Sequence, residues 1–477
     1  MPDHIDANSP QTLRRALQPR HLSMIALGGV IGAGLFIGSG AVIRTAGALA
    51  PLAYAVGGLI LLLVMRMLAE MTAARPSMGS FSDYARLALG NGAGFIIGWT
   101  YWYFWVIVVA FEAIAGAEII GGFLPDIPLW VVSAAVMGVM SVVNLLSVRS
   151  FGEAEFWFAA VKVVAIVAFL GIAVAGLFGV LPGQQVNGLA IGGGSLAPAG
   201  AAGVLSAITV VVFSYFGSEI VTVAAAEATD PVRAVARAAT TVVWRVIIFY
   251  VGSISLIVLL VPYDAIRADA SPFVTLLERL GIPGAALAMQ IIVLTAVLSV
   301  LNAGIYTASR MLFALTAWQE APRALARTTT RGTPIRAILL STLAGWLAVA
   351  VAYLAPEAVF AFLLNAAGSV ALVIYAAIAI SQLRLRRLIE REGGALPVRM
   401  WAHPYLSWFT LALLVAVAVG MLILPDSRGQ LGLGLIAPAG IAVIYLVRRL
   451  FQHRIAPRGA SVLTTGESQW PEHMEKT

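Results

Sequence analysis

Apolar residues form stretches of membrane-spanning length along almost the whole chain. They fall at roughly 22–43, 48–73, 93–123, 129–147, 156–180, 201–226, 240–262, 284–315, 335–355, 359–382, 405–424 and 432–450. A helix needs about 20 apolar residues to cross the hydrocarbon core of a bilayer. The pattern therefore predicts an all-α integral membrane protein of twelve transmembrane helices. The links between stretches are short, so the prediction is one compact domain over 22–450, between polar tails at 1–21 and 451–477.

Two of the stretches are poor helices. The first contains GGVIGAGLFIGSG (28–40), with glycines at 28, 29, 32, 34, 38 and 40. Glycine costs up to about 1 kcal/mol against alanine inside a helix, so a span that only anchors the chain has no use for so many. One reading is a broken helix whose bared N–H and C=O groups hold a small charged ligand. The other is close helix packing, because Gly28/Gly32 and Gly34/Gly38 are GxxxG pairs. Both stay open at this point. The sixth stretch reads VVVFSYFGSE over 210–219 and places Gly217 and Glu219 deep in its span. Spans one and six are five apart, so they cross in opposite directions. That is the hydropathy signature of a five-plus-five inverted repeat, about 22–180 and 201–382, with 405–450 left over as two extra helices.

Composition agrees with a membrane protein: 60% of the 477 residues are hydrophobic and 11% charged, where a soluble chain carries about 25% charged residues. Arginines fix the expected orientation. Arg75, Arg86, Arg149, Arg233, Arg237, Arg323, Arg331, Arg384, Arg386 and Arg387 fall in the links on one side, and Arg44, Arg267, Arg279 and Arg428 on the other. The basic side is cytoplasmic, which puts both termini inside. The net charge of +7 reflects those links rather than a nucleic-acid partner. No cleavable apolar leader is expected ahead of the first span. With no cysteine, and with His4, His21, His403, His453 and His473 all in polar segments, thiolate chemistry, a histidine relay and a histidine metal site are not expected. No nucleophile set, channel filter or long signalling tail points to an enzyme, a channel or a sensor.

Ionisable groups inside spans are functional candidates, because each is costly there. Arg66 and Glu70, four apart, read best as a structural ion pair. Arg245 reads as a snorkelling residue near the cytoplasmic end of span seven. Glu112 is either a cavity-lining or a buried hydrogen-bonded acid, and Glu118 approaches the span exit. Trp99, Tyr101, Trp102, Tyr103, Phe104 and Trp105 read mostly as an interfacial belt or packing. Glu219 reads as support for the break in span six, ahead of direct ligand contact, and Phe213, Tyr215 and Phe216 as core aromatics or a gate. Lys162 and Lys476 are the only lysines. Arginine would snorkel equally well, but it cannot release a proton as lysine can.

GGVIGAGLFIGSG, MRMLAEM (65–71), GSFSDYA (79–85), FGEAEFWFAAVKV (151–163), FSYFGSEIVTVAAAE (213–227) and LNAGIYTASRML (301–312) together resemble the bacterial amino-acid permeases of the amino acid–polyamine–organocation superfamily. MRMLAEM, IVTVAAAE, WRVIIFY (244–250) and SQLRLRRL (381–388) look most like the 4-aminobutyrate permeases among them. The resemblance implies import of a small amino acid across the bacterial inner membrane by proton symport and alternating access. The proton gradient is then the energy source, and no cofactor is needed. A permease for another amino acid (proline, aromatic or small neutral) and an exchanger are the alternatives. By the same resemblance the substrate carboxylate meets N–H groups at Ile31, Gly32, Ala33 and Gly34, and its amino group meets carbonyls at Val30, Phe213 and Phe216, beside Ser214. Lys162 then bridges carbonyls near Gly28 and Gly29 to Ser299 and carries the proton coupling, with Glu112 and Glu219 as the next candidates.

Overall fold

A computed structural model describes residues 17–29, 31–77, 79–181, 196–228, 230–268, 270–329, 332–352 and 356–455. The helices in chain order are α1 (Pro19–Gly28), α2 (Ala33–Phe36), α3 (Gly38–Ala46), α4 (Ala50–Ala74), α5 (Phe81–Leu89), α6 (Asn91–Gly121), α7 (Leu129–Leu146), α8 (Val148–Leu177) and α9 (Gly200–Tyr215). They continue as α10 (Ile220–Ala224), α11 (Pro231–Arg245), α12 (Ser253–Leu260), α13 (Pro272–Arg279), α14 (Ala285–Ala317), α15 (Ile335–Ala352), α16 (Pro356–Arg391), α17 (Tyr405–Ile423) and α18 (Pro425–Ile455). A π-helical turn, Val246–Gly252, joins α11 to α12.

Ten helices among the described residues are long and apolar enough to cross a membrane. One of these runs Ala33–Ala74 through the turn at Gly47, so it joins the outer part of the first expected span to the second. Ile335–Val351 is a shorter apolar helix. Two elements went unexpected: α5 and α13 lie in links and are amphipathic rather than wholly apolar. α8 begins at Val148, eight residues ahead of the expected span start at 156. Ser147 caps it by accepting from Ser150 N at 3.0 Å, so the polar turn 149–155 is helical and carries Glu155 into the interior.

The long helices α6 and α14 pack against each other at the centre, with α1 laid on α8 and α3 on α9. The outer faces carry exposed Trp157, Val164 and Val167 on α8 and Ile436, Val443 and Leu450 on α18, the surface that hydrocarbon would cover. At the expected 66–70 ion pair the structure differs. Arg66 donates to Arg399 O at 2.8 Å and stacks over Trp401. Glu70 is buried and accepts instead from Gln382 Nε2 (2.7 Å), Arg386 Nη1 (3.1 Å) and Met400 N (2.5 Å). A buried carboxylate needs several donors at once, and the neighbouring α16 and the segment at 400 supply more than one arginine could.

Candidate functional site

The first span is broken. α1 ends at Gly28, and Gly32 is extended (φ −137°, ψ −158°) ahead of α2. Leu35 N and Phe36 N both donate to Gly32 O at 3.2 Å. This leaves Ala33 and Gly34 to offer the opening amides of α2, as at any helix start. Ile31 differs from its expected role, because its N–H is turned back to Gly28 O at 3.2 Å. Val30 lies outside the described residues. Gly34 is glycine because a Cβ there would sit 2.9 Å from Ser214 Cα. That approach brings Gly34 O within 3.0 Å of Ser214 Oγ, whose single proton is shared between it and Val210 O, one turn back on the same helix at 3.0 Å.

The sixth span is broken opposite. α9 ends at Tyr215, Phe216 is extended, and Gly217 takes φ 110°. A Cβ on Gly217 would also meet Gly29 O at 2.6 Å, so the two breaks face each other. Glu219 is fully buried. Its carboxylate accepts from Gly217 N at 3.0 Å and from Tyr101 Oη at 3.2 Å, and so satisfies the backbone that the break exposes. Phe213 O accepts from Phe216 N at 3.0 Å.

Between the breaks lies a small cavity. Gly29, Gly32, Gly34, Phe213, Ser214 and Phe216 line it from the broken spans, with Phe104, Trp105 and Glu112 from α6 and Val300 from α14. Phe104 packs on Phe216 with ring centroids 4.2 Å apart. The aromatic start of span three is thus part of this cavity and not only an interfacial belt. The burial of Tyr101, Phe104 and Trp105 is decided by what α6 packs against, which residue type alone does not give. Of the two readings of Glu112 the structure favours the lining one, and its Oε2 has no hydrogen-bond partner among the described residues. Tyr215 turns away and donates to Tyr54 O at 3.0 Å.

Lys162 is fully buried behind the first break. Its Nζ donates to Gly28 O at 2.5 Å and to Ser299 Oγ at 2.8 Å. Ser299 in turn donates to Glu155 Oε1 at 2.5 Å, and Asn302 Nδ2 lies 3.5 Å from Glu155 Oε2. One hydroxyl therefore links a buried ammonium to a buried carboxylate, and the set ties α1 to α8 and α14. Glu155 was missed in the sequence because it precedes the apolar run. Its signal was the seven-residue spacing to Lys162, which puts both on one face of a helix. Also missed was Arg310, which lies within the 284–315 stretch. It donates to Glu227 Oε1 at 2.8 Å, with Tyr306 Oη 3.2 Å from the same oxygen.

The amino acid permease family matches residues 21–456. The chain belongs to the amino acid permease family. The γ-aminobutyric acid permease of Bacillus subtilis is 46% identical over 444 residues, 92% of this chain and 95% of that one. The γ-aminobutyric acid permease of Escherichia coli is 42% identical over 445 residues, 91% and 95% of the two chains. An aromatic amino acid transport protein of Corynebacterium glutamicum is 43% identical over 430 residues, 89% and 93%. Among solved structures, a manganese transporter of Eremococcus coleocola superposes with a TM-score of 0.59 at 14% identity, over 91% of this chain and 94% of that one. It shares the fold. This permease is therefore a multi-pass membrane transporter of amino acids and not an enzyme.

Proposed function

We propose that this permease imports 4-aminobutyrate across the bacterial inner membrane by proton symport, with both termini cytoplasmic. One observation carries the mechanism: a buried lysine is bonded directly to the carbonyl that ends α1. Protonated, Lys162 holds α1 against α8 and α14 with the cavity formed. When it loses its proton toward the cytoplasm it loses a donor and its charge, the tie weakens, and the broken helices can rearrange to release substrate. Alternating access of two five-helix repeats follows from this coupling of proton to helix position. The substrate carboxylate takes the opening amides of α2, where the helix dipole favours an anion. Its ammonium takes carbonyls at the facing break. Glu112, in the cavity wall, is the next candidate to carry the proton, and Glu219, bound to the sixth break, is the third.

The choice of 4-aminobutyrate rests on the named relatives and on a cavity crowded by Phe104, Trp105, Phe213 and Phe216, which suits a slim chain. The aromatic transport relative favours a second reading, an aromatic amino acid, at similar identity. Competition against labelled 4-aminobutyrate uptake in proteoliposomes separates the two. Unlabelled 4-aminobutyrate should compete better than phenylalanine, leucine or arginine, and the reverse ranking removes this substrate while leaving the permease. Uptake driven by an imposed pH gradient, without internal amino acid, separates symport from exchange.

A further inference from the structure

Arg245 closes α11 in the middle of an apolar helix run, and it is only 2% exposed. It does not snorkel as expected. α11 begins at Pro231, and at 1.5 Å per residue Arg245 is about 21 Å from that helix start, too far for its side chain to reach the end. An arginine keeps its charge in any protein environment, and a buried charge costs several kcal/mol unless it is paired. The other buried interior cations described above are paired: Lys162 with Gly28 O and Ser299, Arg310 with Glu227. Yet Nε, Nη1 and Nη2 of Arg245 have no hydrogen-bond partner among the described residues.

Its surroundings are phenolic. Tyr215, Tyr250 and Tyr375 are the electrostatic neighbours of the guanidinium. The Tyr375 hydroxyl is buried and also lacks a hydrogen-bond partner among the described residues. Glu219 is near Tyr375, but it is engaged by Gly217 N and Tyr101. The Tyr375 ring lies 5.3 Å from that of Phe216, and Phe216 lines the cavity. The backbone after Arg245 is π-helical, Val246–Gly252, a departure that is rare in helices and frequent at functional sites.

We infer that Arg245 and the Tyr375 hydroxyl form a binding site for a small monoanion, next to Phe216 of the cavity wall. The guanidinium offers five donors in a planar fork and the phenol one more, which suits a compact acceptor with a single negative charge. Two sources share that chemistry: free chloride, and the carboxylate of the transported amino acid once Phe216 moves aside. Only the second rests on the function proposed above.

The test uses the purified full chain in detergent. Thermal unfolding is followed as chloride replaces sulfate at constant ionic strength, and 4-aminobutyrate binding is measured beside that of butan-1-amine, which lacks the carboxylate. If chloride is the occupant, the wild-type Tm rises saturably, Arg245→Gln is flat, and Tyr375→Phe needs about tenfold more chloride, the worth of one hydrogen bond. If the substrate carboxylate is the occupant, chloride has no effect and both variants weaken 4-aminobutyrate but not butan-1-amine. Tyr375→Phe leaves the charge in place, so it carries both arms if Arg245→Gln does not fold. The binding arm uses whichever amino acid wins the uptake competition, beside the amine that lacks its carboxylate; absence of a chloride response, together with no selective loss of that amino acid's binding in the variants, overturns the site whatever the substrate proves to be.

Discussion

Replacing Lys162 tests the coupling most directly. The amine makes two hydrogen bonds, to Gly28 O and Ser299 Oγ. A hydrogen bond to a charged group contributes about 1.5–3 kcal/mol. Losing both therefore shifts the balance between tied and untied α1 by roughly 3–6 kcal/mol, or about 10²–10⁴-fold at 1.36 kcal/mol per decade. Lys162→Ala removes the tie outright and leaves Glu155 without a cation one hydroxyl away. Lys162→Arg keeps the charge but cannot give up its proton, and its larger fork must fit where Lys162 is fully buried. Proteoliposomes with an imposed inward proton gradient, loaded with labelled 4-aminobutyrate outside, give the readout. Both variants should lose accumulation above the external concentration, while counterflow of preloaded substrate survives better in Lys162→Arg. Accumulation by Lys162→Arg with wild-type pH dependence refutes the reasoning, and the proton must then travel through Glu112 or Glu219.

Four further outcomes are expected. Gly34→Leu should insert and fold but lose substrate binding by at least tenfold, since even its Cβ would lie 2.9 Å from Ser214 Cα; wild-type affinity in titration calorimetry counts against the break as the site. Glu227→Ala should lower the Tm sharply, because it strands Arg310, 3% exposed, and removing one partner of a buried pair costs about 3–5 kcal/mol; an unchanged Tm rejects the pair as structural support. His21 accepts from Gln18 N on Nδ1 (3.3 Å) and meets Glu153 Oε1 on Nε2 (3.2 Å), and burial, outweighing Glu153, holds its pKa below the ordinary 6.5. A base lowered in the folded state gives stability that is full above its ordinary value and is lost as pH falls through the folded one, so hydrogen exchange over 18–28, corrected for its intrinsic pH dependence, should quicken below about pH 6.5; a flat profile is the contrary result. Finally, single cysteines placed in this cysteine-free chain should react with an impermeant reagent in intact cells at loop 264–278 and not at loop 323–336, and the opposite pattern inverts the topology.

What could be read from the residues depended on whether a signal was local. The breaks were legible because glycine clusters and Gly217-x-Glu219 are chain-local departures from helix, and Lys162 because a lone lysine among arginines is visible in composition. Partners across helices were legible only through the family resemblance, as for Lys162 with Gly28 and Ser299, and not from the residues themselves. Glu70 and Arg66 look like a helix-surface pair, yet each is claimed by a different neighbour, Gln382 and Arg386 for one and Arg399 O for the other. Glu155 fell outside an apolar window although helix periodicity already aligned it with Lys162. Arg245 was misplaced because hydropathy starts span seven at 240, whereas the amphipathic α11 starts at Pro231. Hydropathy finds where a helix must be apolar, and it does not find where the helix begins.

The interior charges sort into two kinds, and the division follows the cavity. Arg310 with Glu227, and Lys162 with Gly28, Ser299 and through it Glu155, are engaged by the protein itself. Each joins different elements, so each fixes or switches helix positions. Glu112 Oε2 and the Arg245 guanidinium have no hydrogen-bond partner among the described residues. The first is in the cavity wall, and the second neighbours Tyr375, whose ring packs on Phe216 of that wall. Leaving a charge without a bonded partner in the membrane interior is costly, so these two have reason to stay open if something else meets them, whereas Glu227, whose Oε2 is also free of partners among the described residues, is already paired with Arg310 through Oε1. A proton can meet the acid. The arginine needs acceptors that no described residue gives it, and the carboxylate of an amino acid brings two together with a balancing charge.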